Sequence, residues 1–411
     1  MSITPINRAI IRPLEALNFF MADLQAGIGP FLGIFLLAHG WKSGPIGTVM
    51  TVGGVAGMFM TAPAGALIDA TSRKRMYVVI SAIFTAIASA LILFSQNFWV
   101  VSISQVATAI AGSVIGPAVI GITLGITRQA GFNRQNGHNQ AYNHAGNVAG
   151  AALSGWLGFR FGMPAIFLLA VLFGGLSIAS VLLIPAKAID DRAARGLEKG
   201  GDGGDKVSGL KVLAGCKPLL VLSAALAFFH LGNGAMLPLY GLAAAGNHQG
   251  NPSIFVAMTI VIAQLVMIAA SIVAMYMAEK RGYWLVMFIS FLALPIRGMI
   301  AAHWINHTGL YPVQFLDGIG AGLQSVAVPG LVARILNGTG RVNVGQGAVM
   351  TVQGLGASLS PAIGGWIAQS IGYPPTFLLL GALALVSIVL WCLYSTMLKK
   401  SCDSLSTLNK P

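Results

Sequence analysis

Gly146-Asn-Val-Ala-Gly150-Ala-Ala-Leu-Ser154-Gly155-Trp156 is followed in the sequence by Gly162, Pro164, Phe167 and Leu168. It returns as Gly356-Ala-Ser-Leu-Ser360-Pro361-Ala-Ile-Gly364-Gly365-Trp366, followed by Gly372, Pro374, Phe377 and Leu378. The offset is a constant 210 residues, about half of the 411-residue chain, and Ser177 and Ile178 recur with it as Ser387 and Ile388. A Gly- and Ala-rich composition does not place a Trp, a Pro and a Phe in register, so the chain reads as two copies of one plan. Both copies are apolar and small, which lets helix backbones approach closely in a bilayer, where packing drives association. Gly146, Gly150, Gly155, Gly356, Pro361, Gly364 and Gly365 are therefore the expected helix-packing positions. Duplicated membrane halves characterise secondary transporters.

Composition points the same way. Hydrophobic residues make up 56% of the chain and charged ones 9%, where a soluble domain carries about 25% charge. The expected class is an all-α polytopic membrane protein. The net charge of +13 sits in short segments between apolar runs, which makes it a topology signal and not a nucleic-acid surface. Cys216, Cys392 and Cys402 offer neither a disulfide framework nor metal-ligand spacing. No metal and no cofactor is expected.

Twelve runs are long enough to cross the hydrocarbon. They cover 14–39, 44–68, 76–95, 97–126, 140–161 and 163–185, then 217–244, 252–277, 283–303, 310–335, 343–370 and 374–397. The glycine-broken, mixed-charge stretch 187–216 between them reads as a linker, dividing the chain into halves 1–186 and 217–411. With the N-terminus inside, 21 of the 24 Lys and Arg residues fall on the inner side. The positive-inside rule then places both termini and the linker in the cytoplasm.

Between the second and third runs stands Gly65-Ala-Leu-Ile-Asp69-Ala-Thr-Ser-Arg73-Lys74-Arg75. This resembles the cytoplasmic loop signature of the major facilitator superfamily, with Ala70 where that signature has Arg and Ser72 where it has Gly. Glu279-Lys280-Arg281-Gly282 is its counterpart in the second half, again 210 residues on. The resemblance covers the whole chain and implies two pseudo-symmetric six-helix bundles that alternate access to a central site. It also implies gating roles for Gly65, Asp69, Arg73, Lys74, Arg75 and Glu279. The fifth run resembles, with its Pro and one Gly replaced, the Gly-rich signature of proton-coupled exporters in this superfamily. That tilts the direction toward efflux and leaves uptake or uniport open.

Charge inside the apolar runs is the sharper clue, because a mid-membrane charge costs about 2.5–3.5 kcal/mol on insertion scales. Asp23, Arg297 and Asp317 are the clear cases. Arg297 and Asp317 lie at similar depth on successive runs, so an ion pair is expected, which would make Asp317 structural. Asp23 has no basic neighbour and is the first choice for a protonatable coupling group. The resemblance implies that runs one, four, seven and ten line the cavity. Those runs supply Asp23, Gln25, Gln105, His230, Asn233 and Asp317 as substrate or proton-coupling candidates. The set lacks a basic cluster, which disfavours a highly anionic solute. The expected partners are a small-molecule substrate, protons and membrane lipid, for a monomer in a bacterial inner membrane. A membrane-embedded hydrolase built on Ser358 with His230 or His303 is the remote alternative, and no oriented third group supports it.

Overall fold

The computed structural model describes residues 8–26, 28–194, 214–247, 250–336 and 342–402, with side chains for all but 23–26, 28, 62, 69, 129, 130, 133, 342, 343 and 400–402. Among them there is no strand. The helices are α1 (Arg8–Ala26), α2 (Ile28–Ala38), α3 (Ser43–Ala70), α4 (Lys74–Phe94), α5 (Phe98–Phe161), α6 (Pro164–Leu183) and the short α7 (Asp191–Ala194). After the linker come α8 (Lys217–Asn233), α9 (Met236–Gly246), α10 (Pro252–Arg281), α11 (Tyr283–His303), α12 (His307–Ile335), α13 (Val342–Ile371), α14 (Tyr373–Leu393) and α15 (Ser395–Cys402). They supply the twelve expected crossings. Nine stretches among the described residues are long and apolar enough to span by themselves.

Two compact units divide the chain: Met1–His39 with Val52–Asp202 and Val256–Met258, and Gly40–Thr51 with Gly203–Phe255 and Thr259–Pro411. In the first, α1 packs on α5 and α6, and α4 packs on α5 and α6. In the second, α8 packs on α13 and α14, and α11 packs on α12 and α14. The internal repeat thus recurs as one packing scheme. Its small residues sit at the closest approaches. A side chain at Gly146 would run into the Phe19 carbonyl of α1, and one at Gly356 into the Ala227 carbonyl of α8.

Residues 127–139, read from sequence as an inner loop, are helical in the first unit except at Arg128. The fourth and fifth crossings form a hairpin that reverses at Arg128, whose φ of 52° is the only positive value outside glycine among the described residues. One buried bond joins the arms, Asn139 Nδ2 donating to Thr123 Oγ1 at 2.9 Å, and Gln135 Nε2, one turn before Asn139 on the same arm, donates to Asn139 Oδ1 at 3.0 Å. The start of the linker crosses this turn. The Asp190 N–H donates to the Gly125 carbonyl at 3.0 Å, and Arg128 Nη2 reaches Asp190 Oδ2 at 3.2 Å. Asp190 Oδ1 accepts from the N–H groups of Arg192 and Ala193, capping α7.

In the second unit, Ser43, Gly44, Thr48 and Thr51 of α3 are bonded along α13. Ser43 Oγ donates to the Gly365 carbonyl at 3.0 Å, the Gly44 N–H to Gln369 Oε1 at 3.1 Å, Trp366 Nε1 to Thr48 Oγ1 at 3.0 Å, and the Ala362 N–H to Thr51 Oγ1 at 2.9 Å. Gly47 lies so close that a Cβ there would strike the Pro361 carbonyl.

Two predictions follow from this packing. Gly356→Leu should lower thermal stability in detergent by about 1–3 kcal/mol, because backbone cannot yield as a side chain can. Gly354→Ala, on the same helix with nothing within 4 Å of its Cβ, should leave the melting midpoint unchanged. The Ala193 N–H bond, then the Arg192 N–H bond and the charges of Arg128 and Arg192, outweigh desolvation and hold the Asp190 carboxyl below its usual 3.8. A depressed carboxyl stabilises the fold fully above 3.8 and loses that contribution as pH falls through the lowered value. Hydrogen exchange should show the Arg192 and Ala193 amides protected near neutrality and progressively exposed below pH 3.8, and unprotected throughout in Asp190→Ala.

Candidate functional site

The second unit carries a polar cluster inside its apolar bundle. Three helices contribute a pair each: His230 and Asn233 from α8, Ser290 and Arg297 from α11, and Gln324 and Asp317 from α12. Positions seven apart share a helix face and lie about 10 Å apart along it. α11 and α12 are sequential and antiparallel, so the two seven-residue pairs meet in two layers. In one layer, Arg297 Nη1 donates to Asp317 Oδ1 at 2.7 Å and to Asn233 Oδ1 at 2.6 Å. In the other, His230 Nε2 meets Gln324 Oε1 at 3.1 Å, Gln324 Nε2 donates to Ser290 Oγ at 2.9 Å, and Ser290 Oγ donates to the Gly320 carbonyl at 3.0 Å.

Arg297 is 1% exposed. A guanidinium cannot shed its charge there, so the carboxylate beside it offsets much of the desolvation cost. Asn233 ends α8, which puts the cation at a helix C-terminus, where the peptide dipoles favour it. The crossing continues as α9 after an interruption at Gly234 and Ala235. The Ala235 N–H there is satisfied by Ser360 Oγ at 2.7 Å. This second-copy serine is buried against α8, and Gly234 leaves room for it: a Cβ at Gly234 would stand 2.9 Å from that of Ser360.

The layer of His230 and Gln324 borders a cavity of about 330 Å³ that continues along Ser325, Gln346, Met350 and Gln353. Gln346 and Gln353 escaped the sequence reading because α13 was not assigned to the cavity. Their seven-residue spacing in an apolar helix was the available signal.

The remaining expected positions behave differently. Asp23 and Gln25 lie on α1, and Asp69 near the end of α3, but their side chains are outside the described residues. Gln105 is half-buried, with its Cβ 3.1 Å from where a Gly53 Cβ would stand. Gly65 has open space around it, and Arg73 and Glu279 are exposed. Arg75 reaches across to α6, donating to the Val181 carbonyl at 3.2 Å and the Leu182 carbonyl at 2.9 Å. Lys74 is 1% exposed and donates to the Thr71 carbonyl at 2.7 Å, so one member of the basic loop is packed inside. Its stem lies 3.0 Å from where a Gly121 Cβ would stand.

Twelve crossings in two bundles, with a buried polar cluster beside a cavity, define a polytopic secondary transporter. The Major Facilitator Superfamily model matches residues 15–313 and 222–401. The chain belongs to that superfamily and is an integral multi-pass membrane protein. It is 38% identical over 386 residues to an "Uncharacterized MFS-type transporter" of Mycobacterium tuberculosis, found in strains CDC 1551 / Oshkosh and H37Rv, covering 93% of this chain and 92% of that one. Among solved structures, a mutant of the nucleoside transporter NupG is similar, with a TM-score of 0.78 at 15% identity over 93% of this chain and 99% of that one. A bacterial homolog to the human lysosomal transporter Spinster, inward-facing and unoccupied, has a TM-score of 0.73 at 14% identity, covering 98% of this chain and 100% of that one. At those identities the likeness shows the fold.

Removing one member of the buried pair strands the other. Arg297→Gln or Asp317→Asn alone should cost about 3–5 kcal/mol, read as lost folded yield by size-exclusion fluorescence. The double substitution should recover yield above either single one. Simple addition of the two losses would show that the pair is not coupled.

Proposed function

We propose that the protein is a proton-coupled transporter that exports a small molecule by alternating access between halves 1–186 and 217–411. It does so as a monomer in a bacterial inner membrane, with both termini and the 187–216 linker in the cytoplasm. The observation that carries the transport reading is the layered polar cluster of α8, α11 and α12 beside a cavity in an apolar bundle. Polar groups so placed are costly in a membrane and mark solute or ion pathways. Outward direction is supported by the Gly-rich fifth crossing and its resemblance to exporters. Proton coupling is supported by Asp23, an acid at mid-depth of the first crossing that can be neutral toward one side and ionised toward the other. Asp317 is a weaker coupling candidate because its carboxylate is already bonded to Arg297. The alternative is a proton-coupled uptake symporter or a uniporter.

Flux in proteoliposomes with an imposed pH gradient separates these readings. Asp23→Asn should abolish gradient-driven transport and leave solute exchange intact. If the variant still drives solute uphill with wild-type pH dependence, Asp23 is structural. Solute movement from the cytoplasmic to the outer face, against an inward proton flow, supports export by antiport, and solute movement in the same direction as the protons supports the symporter. Movement with no proton flux in either direction identifies a uniporter.

A further inference from the structure

We infer that the transported solute is an uncharged molecule bearing adjacent hydrogen-bond donors and acceptors, oriented by Gln346 and Gln353 of α13. The inference rests on the transport reading above and specifies its substrate. Its basis is the makeup of the cavity beside the polar cluster. That cavity of about 330 Å³ is in the range that holds small ligands. Among the described residues its polar lining consists of His230, Gln324, Ser325, Gln346 and Gln353, with no Asp, Glu, Lys or Arg. The charges nearest along α11 and α12, Arg297 and Asp317, lie two helical turns away, about 10 Å, and are bonded to each other. An ion entering this cavity would shed water and meet no counter-charge among the described residues that line it. A purely apolar solute would cover several amide groups without pairing them.

The amides divide into two kinds. Gln324 is committed, with its oxygen to His230 and its nitrogen to Ser290. Gln346 and Gln353 make no bond to any described residue, and both line the cavity. Together with Met350 they occupy positions i, i+4 and i+7 of α13, one stripe on one helix face. A glutamine amide holds a donor and an acceptor side by side, so its complement is an amide, a heterocycle edge or a vicinal diol. Met350, between the two amides, supplies a polarizable surface for the solute's flat or apolar face.

Charge-matched probes test this on the purified full-length chain. One series is nicotinamide, nicotinate and 1-methylnicotinamide; the other is glucose, gluconate and glucosamine. Thermal shift and calorimetry should find the neutral member of at least one series the tightest. Gln346→Leu and Gln353→Leu should each weaken it by about tenfold or more, 1.4 kcal/mol, with the unliganded melting midpoint unchanged. Gln353→Glu should shift preference toward the cationic member. The inference is overturned if a charged member binds best in both series, if no neutral member binds, or if the leucine variants bind like wild type. A neutral probe that binds but is not moved in proteoliposomes would sink the transport reading and leave the site. A charged solute that is moved while no neutral probe binds would do the reverse.

Discussion

The seventh crossing interrupts its own hydrogen-bond ladder at Ala235, within a 30-residue apolar run, and a serine from another helix supplies the partner. In hydrocarbon there is no water to take an orphaned N–H, so a broken helix persists only where a neighbour supplies the partner. Ser360 is that partner for Ala235, and it reaches only because α13 lies almost in backbone contact with α8. Gly356 beside the Ala227 carbonyl and Gly364 beside Ala235 keep the gap closed. The small-residue repeat therefore does more than let helices touch. It supports a break that presents the end of α8, with Asn233, to Arg297.

The polar cluster follows from that arrangement. A buried guanidinium is tolerated where a carboxylate, an amide oxygen and a helix C-terminus surround one of its nitrogens. That nitrogen is thereby paired within the bundle, while Nε and Nη2 are buried with no hydrogen-bond partner among the described residues. One layer away the groups are neutral and bonded in a line from His230 through Gln324 to Ser290. Ionic and neutral chemistry are kept two helical turns apart on the same pair of helices. The neutral layer is the one beside the cavity.

Much of this was legible in the chain itself, for physical reasons. Apolar runs must match the membrane's thickness, so the crossings could be counted from hydropathy. The 210-residue offset reappears as the same packing scheme in each unit. Matched depth on sequential crossings pointed to Arg297 and Asp317 as a pair, and the structure brings them together at 2.7 Å. Other features depend on which way a helix face turns, which tertiary packing decides. Gln346 and Gln353 share a stripe in any helix, but nothing local says that the stripe meets a cavity. Lys74 reads as one of three loop cations, yet its stem packs beside Gly121 of a helix that begins 24 residues later. The reversal at Arg128 carries no Pro or Gly at the turning residue. A strap from residues 186–194, more than 50 positions away, crosses that turn.

Helix α3 runs unbroken from Ser43 to Ala70, but its first nine residues belong to one compact unit and the rest to the other. Four hydrogen bonds bind that first part along α13. Gly53, Gly54 and Gly57 follow just past Thr51, and each glycine in a helix interior costs about 1 kcal/mol relative to Ala. The start of the second crossing is therefore held by the bonds of Ser43, Gly44, Thr48 and Thr51 to α13 more than by the helix-forming tendency of its own glycine-rich sequence.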